Sequence, residues 1–349
     1  MQPQEPKKPS IKGPGSPRRQ AVNIAQQEVV KLSQLQPDQP LPLLIQPAID
    51  GVDLLSWAGQ HREQIEGYLL EYGGILFRGF NIKAIEAFEQ VLVTISNELL
   101  EYSYRSTPRT QVSGRIYTST EYPADQSIPM HNEMAYTTSW PMKIGFFAVT
   151  VAEQGGETPI ADSRKVFAEI DPLIRERFAR TGVMYVRNYG GGIDLPWQEV
   201  FQTSDKAEVE DYCRSAGIRF EWKDGDRLRT SQVCQAVAKH PKTGASVWFN
   251  QAHLFHVSAL LPEVRDTLLA NFKEEDLPRN TYYGDGSPIE AEVLDEIRRA
   301  FDRHTVVFPW QEGDIMILDN MLTAHGRMPF VGARKTVVGM AELIRQDGL

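Results

Sequence analysis

The sequence predicts a mostly β, α+β fold, an antiparallel barrel or sandwich with helices attached to it. Three observations carry that prediction. From residue 110 onward, short β-prone runs recur between prolines and glycines. Strands and helices do not alternate in the regular way that builds a parallel sheet. No glycine-rich loop opens a helix, because Gly190-Gly191-Gly192 leads into Ile193-Asp194-Leu195-Pro196, and proline does not continue a helix start of the kind that cradles phosphate.

The elements follow in chain order. The first 19 residues hold Pro3, Pro6, Pro9, Pro14 and Pro17 together with Lys7, Lys8, Lys12, Arg18 and Arg19, a composition that cannot offset ordering entropy by burial. A disordered basic tail is expected over 1–35, with a single domain over 36–349 that begins in a Pro-rich connector, Gln36 to Pro47. Apolar residues at helical spacing (Leu55, Ala58, Ile65, Tyr68, Leu69) predict one helix from Leu54 to Tyr72, stopped by Gly73-Gly74. The apolar run Gly74 to Phe80 reads as a strand, and Ile85 to Leu100 returns to helical period. Strands are then predicted at Arg115–Thr120, Ile144–Val151, Val183–Tyr189, Ala245–Asn250, Thr305–Phe308, Asp314–Leu318 and Thr336–Met340. Asp205–Ala216, Pro262–Glu275 and Pro288–Arg303 read as helices, so a helical insertion spanning about 190–303 is expected to decorate the β core. Its first part, Tyr189 to Ser204, is glycine-rich and polar, which suits a lid.

Composition narrows the function. Hydrophobic residues are 41% of the 349 and charged residues 24%, enough to bury a sizeable core. A formal charge of −9 argues against nucleic acid or a membrane surface as partner and for a small molecule. Cys213 and Cys234 are the only cysteines, so neither a disulfide framework nor a thiolate-built metal site is expected. With no apolar run near the roughly 18 residues that span a bilayer, and no secretory signal, the expected location is cytoplasmic.

Histidine followed two residues later by a carboxylate occurs twice in the sequence, against about one occurrence by chance for this composition. His61-Arg62-Glu63 falls within the first predicted helix, where positions two apart point in different directions. It reads as solvated helix surface. His131-Asn132-Glu133 lies between β-prone segments, where residues i and i+2 share a face and present an imidazole beside a carboxylate. His325, far along the chain, is the best third donor. Two imidazoles and one carboxylate suit a non-haem iron(II) site with open positions, and they also fit zinc or manganese. Arg334 follows nine residues later, past a turn, and its guanidinium suits a carboxylate partner. Thr158, in Gly155-Gly156-Glu157-Thr158-Pro159, adds a hydroxyl. Taken singly, each has a dull explanation as a packed histidine, a surface arginine or a hairpin.

Taken together, His131-x-Glu133, Gly-Gly-x-Thr158, Asp319-Asn320 ahead of His325, and Arg334 resemble the TauD/TfdA family of Fe(II)/2-oxoglutarate dioxygenases over roughly residues 70 to 345. Met-His-Asn-Glu-Met, Gly-Gly-Glu-Thr-Pro and Ala-His-Gly-Arg-x-Pro-Phe are similar to the clavaminate-synthase-like and SyrP-like branch. The resemblance implies a double-stranded β-helix (jelly roll), with His131, Glu133 and His325 as iron ligands and catalytic centre and with Thr158 and Arg334 on the distal carboxylate of 2-oxoglutarate. It also implies Fe(II), 2-oxoglutarate and O2 as cofactor and cosubstrates. The family's second arginine, four residues beyond the position of Arg334 in several members, is replaced by Val338 here. Glu133 favours hydroxylation over halogenation, since halogenating relatives carry a small residue in its place.

The implied activity is hydroxylation of an amino acid, free or presented by a peptidyl carrier protein, in metabolism of the nonribosomal peptide type. A desaturase or cyclase using the same iron chemistry, a jelly-roll metal- or ligand-binding protein without turnover, and a zinc hydrolase are the alternatives. For substrate contacts the candidates are Arg105, Arg109, Tyr117 and Asn250, the last because a polar side chain follows the apolar pair Trp248-Phe249. His253 and His256 are i,i+3 neighbours without a completing carboxylate, so packing is favoured over an accessory metal site.

Overall fold

The structure is a computed structural model that describes residues 29–101, 110–119 and 122–346. Its core is a jelly roll. Eight strands form the larger sheet, in the order Val30–Gln36, Gln39–Pro47, Gly74–Phe77, Ile315–Asp319, Ser139–Thr150, Lys335–Arg345, Ile116–Thr118, Gln111–Ser113. A smaller sheet lies across from it: Thr305–Val306, Ile160–Asp162, Thr323–Arg327 and Ile128–His131. Pairing is antiparallel throughout these two sheets except between Gln39–Pro47 and Gly74–Phe77.

The central strands are apolar on both faces because both faces are covered, and strand alternation divides the residues between two cores. Ile144, Phe146, Met316, Leu318 and Val338 point inward with Ile160 and Val306 of the smaller sheet. Phe147, Ile315, Ile317 and Val337 point outward, under Phe88, Val91 and Leu92 of the helix Ile85–Ile95. That helix comes close because two glycines face it. Gly145 and Gly339 are register partners on adjacent strands, and a Cβ on Gly339 would stand 2.6 Å from Leu92 Cδ2 and 2.9 Å from Ile116 Cδ1.

Three expectations change. Residues 30–47 are a β-hairpin at the end of the large sheet, where the tail's last residues and a connector were expected. Prolines 40, 42 and 47 had argued against a strand, but the second arm pairs with Gly74–Phe77 only over Leu43–Ile45, so the prolines flank the stretch where the ladder joins the core. The helix predicted over 54–72 is two, Leu54–Gln60 and Arg62–Tyr72. His61 breaks it: its ring stacks on Trp57 at 4.8 Å and its Nδ1 meets the Trp57 carbonyl at 2.8 Å. The insertion is not purely helical. It contains the strands Arg219–Lys223, Arg227–Cys234 and Arg279–Tyr283, which join Val183–Tyr189, just ahead of it, in a separate antiparallel sheet. Polar Thr230 and Gln232 on the buried positions of Arg227–Cys234 hid the alternation.

No helix among the described residues is long and apolar enough to cross a membrane. Gly339→Val is expected to cost about 1–3 kcal/mol through overpacking in urea unfolding, and Leu92→Ala in the same chain should restore part of that loss.

Candidate metal and cosubstrate site

The smaller sheet builds the site. His131 ends one strand and His325 sits mid-way along the next, and the two are direct register partners. Their rings therefore meet at 4.5 Å. Glu133 follows His131 by two residues, and the donor atoms of His131, Glu133 and His325 all lie within 4.8 Å of one another. Among the described residues this is the one such group of three. His61 and Glu63 form no such group.

The ligand orientation is fixed from behind. The Nδ1 of His131 meets the Pro129 carbonyl at 2.8 Å, so Nδ1 carries the proton and Nε2 offers its lone pair to the site. Glu133 is held through its backbone. Its N–H donates to Asn320 Oδ1 at 2.7 Å, and Asn320 Nδ2 donates to the carbonyls of Glu133 and Pro141 at 2.9 and 2.8 Å. Asn132 Nδ2 returns a bond to the Asn320 carbonyl at 2.7 Å. Neighbouring Asp319 is pinned by the Met321 and Leu322 amides and by His240 Nε2 at 3.0 Å. Met134, directly after Glu133, has φ +57°, the left-handed turn that directs the chain away. Glu133 and His325 are buried, with Glu133 Oε2 and His325 Nε2 3.8 Å apart. That is too long for a hydrogen bond and within the span open to two donors each about 2.1 Å from one ion. Two imidazoles and a carboxylate, without thiolate, fit iron(II).

A cavity opens beside the triad, lined by His131, His325, Phe146, Thr158, Arg334 and Val338 among others. The Gly-Gly-x-Thr motif places two of these. Gln154–Gly155 pairs with Phe330–Val331, bringing the segment that carries Thr158 against the one that carries Arg334. Gly156 has φ +76°, and a Cβ there would lie 2.9 Å from Arg334 Cδ. Its carbonyl accepts from Arg334 Nε at 2.8 Å. Thr158 Oγ1 accepts from Trp310 Nε1 at 3.1 Å, which leaves the hydroxyl proton for a partner in the cavity. Burial, with Arg327 as the next cause, pushes the Arg334 pKa down to about 10. Arg327 lines the same cavity, its guanidinium donating to the Tyr122, Pro123 and Gln126 carbonyls.

The substrate candidates fare differently. Arg105 and Arg109 lie outside the described residues. Tyr117 sits in the inward core as the register partner of Val338. Asn250 is fully buried, donates to the Ala236 carbonyl at 2.8 Å and accepts from the Ala252 amide at 3.0 Å, so both ends of its amide serve the backbone. Residues 189–204, expected as a lid, line a different cavity, with Tyr189, Gly191, Ile193 and Asp194 on its wall. Asp194 anchors that stretch to Arg279. His253 and His256 pack within the insertion, and burial lowers both pKa values to about 4.

Sequence reasoning missed the supporting roles of Asn320, Gln251, Trp310 and Arg327. For Asn320 and Arg327 a signal existed, since both lie within five residues of His325. For Gln251 and Trp310 there was none.

Comparison with known proteins follows the same lines. The profile described as "Taurine catabolism dioxygenase TauD, TfdA family" matches residues 37–341. The chain belongs to the TauD/TfdA family. It is 46% identical over 278 residues to the dapdiamide synthesis protein DdaC of Enterobacter agglomerans, covering 80% of this chain and 84% of that one. A clavaminate synthase-like protein of Arabidopsis thaliana is 30% identical over 291 residues, 80% of this chain and 85% of the relative. These place it in the clavaminate-synthase-like branch of Fe(II)/2-oxoglutarate-dependent dioxygenases, with iron, 2-oxoglutarate and O2 as its cofactor and cosubstrates. Among solved structures, PvcB of Pseudomonas aeruginosa shares the fold, with a TM-score of 0.55, 16% identity, and coverage of 91% of this chain and 95% of that one.

Asn320→Ala is expected to cost about 1–3 kcal/mol by stranding the buried Glu133 N–H, read by denaturant unfolding, and to weaken metal binding in a titration followed on the same protein.

Proposed function

We propose that His131, Glu133 and His325 hold the iron, that Thr158 and Arg334 hold the distal carboxylate of 2-oxoglutarate, and that the enzyme hydroxylates an amino-acid-type substrate, free or tethered to a peptidyl carrier protein, in specialised metabolism. The observation that carries this reading is that the two histidines of the triad line one cavity with the half-buried Arg334 guanidinium and a Thr158 hydroxyl that has a donatable proton, while Glu133 stands within 4.8 Å of both imidazoles. The relative named for dapdiamide synthesis supports a biosynthetic role.

Each residue has a physical task. When bound, iron with O2 and 2-oxoglutarate supplies an oxidant able to take hydrogen from carbon, with succinate and CO2 as coproducts. Arg334 offers its planar fork to the carboxylate, held in place by the Gly156 carbonyl and backed by the Phe330 ring at 5.6 Å. Thr158 adds a second donor to the same anion. Phe146, Ile128 and Val338 exclude water from the remaining wall. Val338 also makes the wall apolar where several relatives have an arginine, so a substrate anion finds no cation at that position.

Substrate identity is tested by titrating the anaerobic Fe(II)·2-oxoglutarate complex with amino acids and with aminoacylated carrier domains, watching the visible spectrum and then succinate after O2 is admitted. No spectral change and no substrate-dependent succinate with either class would refute the amino-acid reading. Two variants test the roles. His325→Ala should lose iron binding while its unfolding curve persists. Arg334→Met should raise the KM for 2-oxoglutarate by roughly 10- to 100-fold, from about 1.5–3 kcal/mol for a charge-assisted hydrogen bond, with iron binding retained. An unchanged KM would remove Arg334 from the cosubstrate site.

A further inference from the structure

The strand that carries His131 lies at the edge of the smaller sheet, with Thr323–Arg327 as its one neighbour there. An edge strand presents outward carbonyls at every second residue. Here those outward groups on either side of His131 are taken by side chains from the insertion. Gln251 Nε2 donates to the Asn132 carbonyl at 2.7 Å, and His253 Nε2 meets the Met130 carbonyl at 2.9 Å. Acceptors two residues apart thus face donors two residues apart. Both donor residues are buried.

The short helix Ala252–Phe255 and its entry that deliver these donors are themselves fastened on several sides. The Gln251 backbone N–H donates to the Tyr185 hydroxyl at 2.7 Å, Asn250 Oδ1 accepts from the Ala252 N–H at 3.0 Å, Thr281 Oγ1 donates to the Ala252 carbonyl at 3.1 Å, and Arg298 donates to the His253 carbonyl at 2.9 Å. The His253 ring packs on Phe301 at 4.8 Å. The clamp is therefore tied to two strands of the insertion sheet and to the helix Ala291–His304.

We propose that Gln251 and His253 are positioning residues that replace a missing neighbour strand, holding His131 by both flanking carbonyls so that metal affinity depends on the insertion. This rests on the triad being the metal site. Partners that orient a ligand in this way typically change metal affinity by roughly 10- to 100-fold when removed.

The test is an anaerobic Co(II) titration of the full chain, followed by the cobalt visible bands, with melting of the metal-free proteins measured in parallel. Gln251→Glu keeps the side-chain shape but turns the donor into an acceptor, and His253→Leu removes the other donor. Each should bind Co(II) roughly 10- to 100-fold more weakly. His253→Gln, which restores an N–H at similar reach, should stay within about threefold of the unaltered chain. A purely structural role would lower melting temperature and leave Co(II) affinity unchanged in the folded variants. That result would overturn the clamp. Failure of the unaltered chain to bind Co(II) would instead refute the triad itself.

Discussion

One register pairing holds the site together. His325 faces His131 across two antiparallel strands, and because side chains alternate faces, a slip of one residue would turn one imidazole away from the other. The pairing is protected on both sides. His325 also pairs with Ile160, and a bulge after it shifts the register so that Arg327 meets Ile128. The glycine at the bulge is required by space: a Cβ on Gly326 would lie 2.7 Å from the Ile128 carbonyl oxygen. The His-Gly-Arg sequence thus reads as a triad residue, close approach, and anchor, the anchor being Arg327 on the three carbonyls of the segment that leads into the strand of His131.

The cavity beside the triad has a matching electrostatic logic. Arg334 is desolvated and shares its surroundings with Arg327, which is why its pKa falls to about 10. Two guanidiniums that line one cavity repel each other, and burial weakens the solvation of each. Arg327 is relieved by three backbone carbonyls, whereas Arg334 makes its 2.8 Å bond through Nε and leans on an aromatic face. A dicarboxylate entering such a pocket replaces missing solvation with a direct ionic partner, so the cost of holding Arg334 there is recovered on binding. Burial and Arg327 act in the same direction, raising the cost of the Arg334 charge, and an entering anion acts against both.

The sequence made the chemistry more legible than the frame that supports it. His131, Glu133, His325, Thr158 and Arg334 stood out because their residue types and spacings form a joint pattern that packing alone does not require. The barrel strands were legible for a different reason: buried on both faces, residues 144–149 and 315–318 are continuous runs without a polar side chain. What escaped notice depends on context that no local window contains. The insertion sheet buries polar residues, Thr230 and Gln232 on one strand and Asn280 and Thr281 on another, so its strands lack an apolar face. The Val30–Pro47 hairpin is rich in proline, which only the limited pairing of its second arm excuses. Asn250 looked like a substrate contact because its residue type is polar beside an apolar pair, yet those properties also describe a cap buried under a core.

The smallest strands of the molecule bear its most demanding geometry. Ile128–His131 has four residues, Ile160–Asp162 three and Thr305–Val306 two, and sheets this short have little stability of their own. Rigidity must be imported. Part comes from Asn320, which ties the Glu133 backbone to the long Ser139–Thr150 strand through the Pro141 carbonyl. The rest comes from the opposite direction, through the Gln251 and His253 side chains and the elements fastened to the Ala252–Phe255 helix. A ligand strand held between a barrel on one side and an insertion on the other cannot relax toward either. An insertion of more than a hundred residues is then more than ornament on the jelly roll, because the edge it covers is the edge on which His131 stands.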